Sequence, residues 1–265
     1  MCTANALWCL HALSQNYKKT GKKERSGPAL YKLAAVDLVR TGSTNLEKTF
    51  EHISPVLGES VPGTNVPYSF VVTANLPQEE PKLFSTPGKG PSYVIIFHFV
   101  ASSMLLKQLN DLDSASPAVK LFNNFCSEGL VNSNFMGRFK AMCIIDDIGK
   151  HGFPAIVNRF NGKPVLINKS GRLNAFYQNE NGALAMGVKE GKDVNALNML
   201  INVHLFAFVA RKTLFSLYDK FKDMALNIAF TIEGRADEEL PEVVLGCAKL
   251  EGIEVGDKMA LLDGT

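Results

Sequence analysis

Apolar positions along the chain fall into short runs separated by turn-forming residues. Seven of these runs read as β-strands: Leu30–Val39, Tyr68–Leu76, Tyr93–Val100, Phe139–Asp146, Pro164–Ile167, Leu173–Tyr177 and Val243–Leu250. Each is rich in β-branched or aromatic residues and is bounded by Gly, Pro, Asn or Asp. Tyr93–Val100 is apolar on both faces, which suits a central strand covered on both sides. Helix signals are fewer. Thr44 with Glu47 three residues on has a capping-box pattern before a short helix. Ser116-Pro117 starts a second helix, with serine as N-cap and proline at the first helical position.

Residues 194–233 hold no Gly or Pro. As a single helix they would be about 60 Å long, too long for a globule of this mass. The first part alternates with period two, which predicts a strand over 197–205. Beyond it Leu214, Leu217/Tyr218, Phe221, Met224/Ala225, Ile228 and Ile232 recur at three- and four-residue spacing. That spacing predicts one long helix over about 207–232, stopped by Gly234. The fold class expected is α+β: an antiparallel-rich sheet packed against one long C-terminal helix, in a single domain. The Pro/Gly-rich stretches Ser54–Pro67 and Pro77–Pro91 read as loops, and no internal repeat is visible.

Composition changes this picture little. The 265 residues are 46% hydrophobic and 20% charged, with 28 Lys+Arg against 26 Asp+Glu. A net charge of +2 does not describe a strongly basic nucleic-acid binder. The five cysteines, Cys2, Cys9, Cys126, Cys143 and Cys247, form no CxxC pair. A disulfide framework and a zinc site are therefore not expected, and most of the cysteines read as buried small hydrophobes in a reducing compartment. The N-terminus lacks a basic n-region, so a secretory signal is not expected. The most hydrophobic stretch, Leu197–Ala210, is short of the 18–20 residues that cross a bilayer. The expected location is the cytoplasm, with peripheral membrane attachment or import behind a removed transit peptide left open.

No catalytic or cofactor signature is present: no GxSxG, HExxH, GxxxxGK[ST] or strand-following GxGxxG. Gly88-Lys89-Gly90-Pro91-Ser92 reads as a turn ahead of the central strand, because Pro91 removes an N–H that a phosphate cradle would use. His98 and His204 sit in apolar runs and read as hydrogen-bonded core histidines. Asp146-Asp147 reads as a strand end and turn, since neighbouring strand residues face opposite ways. Cys126 and Cys143 have no placeable catalytic partner. No metal, cofactor or enzymatic activity is expected.

Two local features remain. Lys18, Lys19, Lys22, Lys23 and Arg25 put five cations in eight residues. Near an anionic leaflet each contributes about 1 kcal/mol of attraction; the alternative is a solvated loop. Tyr17 lies beside them without an RNP- or KH-like pattern, so nucleic acid is not an expected partner. Phe97, Phe99, Phe206, Phe208 and Phe215 fall on elements that should face each other. They form either a filled core or the lining of an apolar ligand cavity.

Several segments resemble, in order, the C-terminal domain family of plant Enhanced Disease Resistance 2, also called domain of unknown function 1336. Gln15–Asp37 resembles its opening, with Trp8 ahead of it. Pro67–Val72 with Leu76-Pro77, Tyr93–Val100, Arg138-Phe139-Lys140 and Gly162–Ile167 resemble its later segments. Ile232–Gly246, IEGRADEELPEVVLG, is the most specific similarity. Asn198 and Asn202 stand roughly where the family has acids. The resemblance implies one domain over 8–255 and a tail over 256–265. Plant members carry pleckstrin-homology and START domains upstream; neither is in this sequence, and the domain itself has no established enzymatic activity.

The leading expectation is non-enzymatic binding of a lipid or other hydrophobic ligand, with docking on an anionic membrane surface. Phe97, Phe99, Val203, Leu205, Phe208 and Phe215 would contact the ligand, and Lys18, Lys19, Lys22, Lys23 and Arg25 the headgroups. The alternative is a protein-interaction or structural subunit with a fully packed core, and an enzyme comes third.

Overall fold

The computed structural model of the chain describes residues 2–3, 11–15, 17–42, 49, 53–83, 88, 90–153, 155–189 and 193–262. The expected short helix after Thr44 lies outside the described residues. Strands are numbered in chain order. One sheet has seven, in the order β10 (Leu184–Met186), β9 (Gly171–Gln178), β11 (Ala196–Asn202), β5 (Ser69–Pro77), β6 (Ser92–Ala101), β4 (Tyr31–Thr41) and β14 (Ala260–Leu261). A second has five: β1 (Cys2–Thr3), β13 (Val244–Glu251), β12 (Ala225–Ile232), β7 (Phe139–Ile145) and β8 (Val165–Leu166). A small hairpin pairs β2 (His11–Leu13) with β3 (Lys23–Arg25). Among the described residues only β11–β5 and β14–β4 pair in parallel. All seven expected strands are present, within two residues at each end.

The two sheets pack face to face through aromatic side chains. On β6 the alternation sends Ile95, Phe97 and Phe99 into the main core and Val94 and Ile96 into a second cluster on the opposite face. This strand is therefore covered on both sides, as its unbroken apolar sequence requires. Phe97 and Phe99 stack on each other with centroids 6.3 Å apart, and Phe230 of β12 meets their edges at 5.5 and 6.0 Å. Phe139 of β7 lies 6.2 Å from Phe70 of β5 and 5.6 Å from Phe230. Each buried phenylalanine contributes about 1.5–3 kcal/mol. The approach is close enough that a Cβ at position 246 would lie 2.7 Å from the Phe99 ring, so Gly246 is required there.

The helix begun by Ser116-Pro117 is the longest described, Pro117–Val131, and Phe122 and Phe125 on it join Tyr31, Phe70 and Phe139 in the core. No long C-terminal helix forms. Residues 207–232 instead make a helix over Phe208–Phe215, a 3₁₀ turn over Tyr218–Asp223 and strand β12. Met224 is extended (φ −119°, ψ 154°) and ends the helical part. Leu226, Ile228, Phe230 and Ile232 then point inward with period two. A four-residue step fits a helical stripe and a strand face equally, which is why Met224, Ile228 and Ile232 mimicked a helix. The expected strand 197–205 ends at Asn202, and Val203–Leu205 is a 3₁₀ turn.

A buried ion pair fastens the five-stranded sheet to the segment joining β12 and β13. Lys140 donates from Nζ to both carboxylate oxygens of Glu242 at 2.7 Å, with the side chains 7% and 1% exposed. The Gly234 N–H also donates to Glu242 Oε1, at 3.0 Å. Two residues before Lys140, Arg138 donates to Glu239 at 2.8 Å. The other oxygen of Glu239 accepts the Arg235 and Ala236 N–H groups. Removing one member of a buried pair strands the other charge. Glu242→Gln is expected to lower the unfolding free energy by about 3–5 kcal/mol in urea titrations. The double change Lys140→Met/Glu242→Leu should cost less than either single one; a single variant as stable as the parent would contradict this role.

Candidate functional site

The cationic segment forms a built hairpin. Residues Tyr17–Thr20 make one helical turn, closed by Gly21 at φ +64°, whose N–H donates to the Tyr17 carbonyl at 2.7 Å. The chain then enters β3, which pairs with β2 in the register His11↔Arg25 and Leu13↔Lys23. Strand alternation places Lys23 and Arg25 on one face and Glu24 on the other. Lys18, Lys19, Lys22, Lys23 and Arg25 are all exposed. Lys18 lies 3.7 Å from Asp237, an exposed pair worth under about 1 kcal/mol. Lys19, Lys22 and Lys23 form no ion pair among the described residues. The Ser14 hydroxyl donates to the Lys22 carbonyl, and the Glu242 N–H to the Leu13 carbonyl at 3.0 Å, so the hairpin is tied to the β12–β13 connection.

The six apolar positions expected to hold a ligand are spread between the buried core and the surface. Phe97 and Phe99 are buried within the aromatic core. Val203 is buried, Leu205 is 44% exposed, and Phe208 and Phe215 are half-buried. The latter group stands at the end of the seven-stranded sheet where Phe215 meets Tyr218, whose hydroxyl donates to the Pro77 carbonyl. Two clefts of about 520 Å³ open on the surface, one beside Leu57, Ser60, Gln178 and Asn195, the other beside Tyr218, Lys222, Ile253 and Val255. Neither is lined by Phe97 or Phe99.

The histidines stand apart. His98 bonds Asp37 at 2.9 Å and His204 bonds the Ser92 hydroxyl at 2.9 Å. Ser92 and His98 are six residues apart on β6, about 20 Å along the strand. Ser92 is fully buried and donates to the Gly90 carbonyl, within the turn expected ahead of the central strand. Asp146 accepts from Asn227 and pairs with Lys249, whereas Asp147 adopts φ 50° and pairs with Lys150, which holds its carboxyl below the usual range. Cys126 is buried, and burial pushes its thiol well above the ordinary value; Cys143 is exposed on β7. Among the described residues no His/Cys/Asp/Glu group could hold a metal ion. Asn198 donates to the Thr73 hydroxyl at 2.7 Å, and Asn202 donates to the Gly88 carbonyl and accepts the His204 N–H. Both serve hydrogen bonds inside the fold. Sequence reading missed the Lys140–Glu242 and Arg138–Glu239 pairs, although each joins two segments that resemble the family, Arg138–Lys140 and Ile232–Gly246.

A family model described as Protein Enhanced Disease Resistance 2, C-terminal, matches residues 10–254, and the chain belongs to that family. No curated protein and no solved structure matches it.

His204 supplies a pH test of this geometry. Burial, and then the nearby Arg211, lower its pKa from 6.5 to about 4. The unfolded chain binds the proton below pH 6.5 and the folded chain does not until about pH 4. Stability from this group is thus full above pH 6.5 and falls as pH drops through that window, by about 3 kcal/mol in total. In urea titrations between pH 7 and pH 4.5, His204→Gln should show a shallower loss of stability than the parent. Parallel slopes would contradict a buried neutral His204.

Proposed function

We propose that this member of the family is a non-enzymatic module that docks peripherally on an anionic membrane surface through the hairpin at 17–25. The observation that carries this reading is the exposure of Lys19, Lys22 and Lys23 without ion-pair partners among the described residues, on a hairpin anchored to the protein core. Cations already neutralised by the protein would gain little from lipid phosphate. These three gain the full attraction, about 1 kcal/mol each near the surface. Contact with lipid at the surface, rather than enclosure of a lipid, also agrees with the interlocked rings of Phe97, Phe99, Phe139 and Phe230. Among the described residues no helix is long and apolar enough to cross a membrane. A protein-interaction module would share this packed interior, and vesicle binding separates the two readings.

The test is co-sedimentation of the full chain with phosphatidylcholine vesicles containing roughly a third phosphatidylserine. The parent should bind, and raising the salt should weaken binding through screening. Lys19→Gln/Lys22→Gln/Lys23→Gln should lower the partition coefficient by about 100-fold. The thermal midpoint should not move, since the three side chains are solvated. A triple variant that binds like the parent, or a parent that does not bind, would overturn the proposal.

A further inference from the structure

Between Asp147 and Glu180 the chain carries Lys150, Arg159, Lys163, Lys169 and Arg172 and no acidic residue. At the chain's own frequency of 26 acids in 265 residues, such a stretch would hold about three. Its centre is a helix–turn–strand unit at the edge of the five-stranded sheet, made of the helix Ala155–Phe160, a tight turn, and β8. The Lys163 N–H donates to the Phe160 carbonyl at 3.1 Å and the Gly162 N–H to the Cys143 carbonyl at 2.9 Å. Asn161 accepts the Ile145 N–H at 2.7 Å and donates back to the Ile145 carbonyl at 3.2 Å. The turn thus completes the edge of β7, and the unit is fixed by backbone hydrogen bonds together with the Asn161 side chain.

Its apolar side chains are nevertheless in solvent. Ile156 is 36% exposed, Phe160 56%, Val165 45% and Leu166 37%, while Val157 alone among the side chains of the helix is buried. Ile156 and Phe160 are four residues apart and share one helix face. Arg159, Lys163 and Lys169 are exposed and form no ion pair among the described residues. Scattered exposed leucines need no explanation, but an apolar face on a fixed unit, in a stretch of chain whose charged residues are all cationic, matches the boundary between anionic headgroups and acyl chains.

We infer that residues 155–166 form a membrane-insertion wedge, in which Ile156 and Phe160 enter the headgroup–acyl boundary of an anionic bilayer. Arg159, Lys163 and Lys169 then meet the lipid phosphates. This inference rests on the peripheral docking reading and adds a contact separate from the hairpin. The hairpin is tied through Glu242 to Lys140 near the start of β7, whereas Asn161, just after the wedge's helix, bonds Ile145 at the other end; β8 then runs back along β7 to pair with Ala141 and Lys140.

The experiment uses the full chain and the same phosphatidylserine vesicles in about 0.5 M salt, where the Debye length falls to a few ångströms and apolar insertion dominates. Ile156→Ser/Phe160→Ser should lower the partition coefficient by at least about tenfold with an unchanged thermal midpoint. In a second measurement, the added fluorescence of Phe160→Trp should be quenched by brominated acyl chains. If the serine variant binds like the parent and the added tryptophan escapes quenching, the wedge is overturned. Should the triple hairpin variant lose binding while the serine variant keeps it, the docking reading stands and the wedge falls. A parent that binds no vesicles overturns both.

Discussion

The structure depends on a charge pair enclosed where water cannot reach it. An ammonium and a carboxylate withdrawn from water each cost several kcal/mol, and only close, complete pairing offsets that cost. Lys140 and Glu242 meet this condition: both carboxylate oxygens accept the ammonium, and one also accepts the Gly234 N–H. The pair spans 102 residues of sequence and joins the start of β7 to the connection between β12 and β13. The backbone around Glu242 then reaches outward. Its N–H bonds Leu13, and two residues on the Val244 N–H bonds Ser26, so the N-terminal hairpin hangs from the same segment.

That arrangement leaves the interior to packing and the surface to charge. Phe230, on the strand between β7 and β13, reaches the rings of Phe97 and Phe99 on the opposite sheet and of Phe139 on its own. The cations at 18–25 and the apolar unit at 155–166 lie outside this interior, the first held by hydrogen bonds to the backbone and the second by backbone bonds and the Asn161 side chain. A rigid mount of this kind lets a side chain stay solvated without costing the fold anything, which is what a surface that meets lipid requires.

Strands were legible where alternation and turn residues agreed, as in Tyr93–Val100 with its two apolar faces. The stretch from Leu214 to Ile232 was misleading because four-residue steps satisfy both periods, and only the strands on either side of β12 decide between them. The cationic segment was visible because its signal is local, five charges in eight residues. The Lys140–Glu242 pair was not visible, since nothing in either residue's neighbourhood announces a partner 102 positions away. Two segments that resemble the family, Arg138–Lys140 and the most specific one, Ile232–Gly246, meet at this pair. Resemblance had marked the place without its physical reason. The unit at 155–166 carried a readable sign, the absence of acids from 148 to 179, but its exposure followed only from the fold.

Hydrogen exchange on the full chain carrying Lys140→Met measures most directly whether the buried pair holds the hairpin to the protein core. The backbone amides of Glu242 and Val244, which donate to Leu13 and Ser26, should lose at least about tenfold in protection, while those of β5 and β6 keep theirs. Protection at Glu242 and Val244 equal to that of the parent would contradict the account.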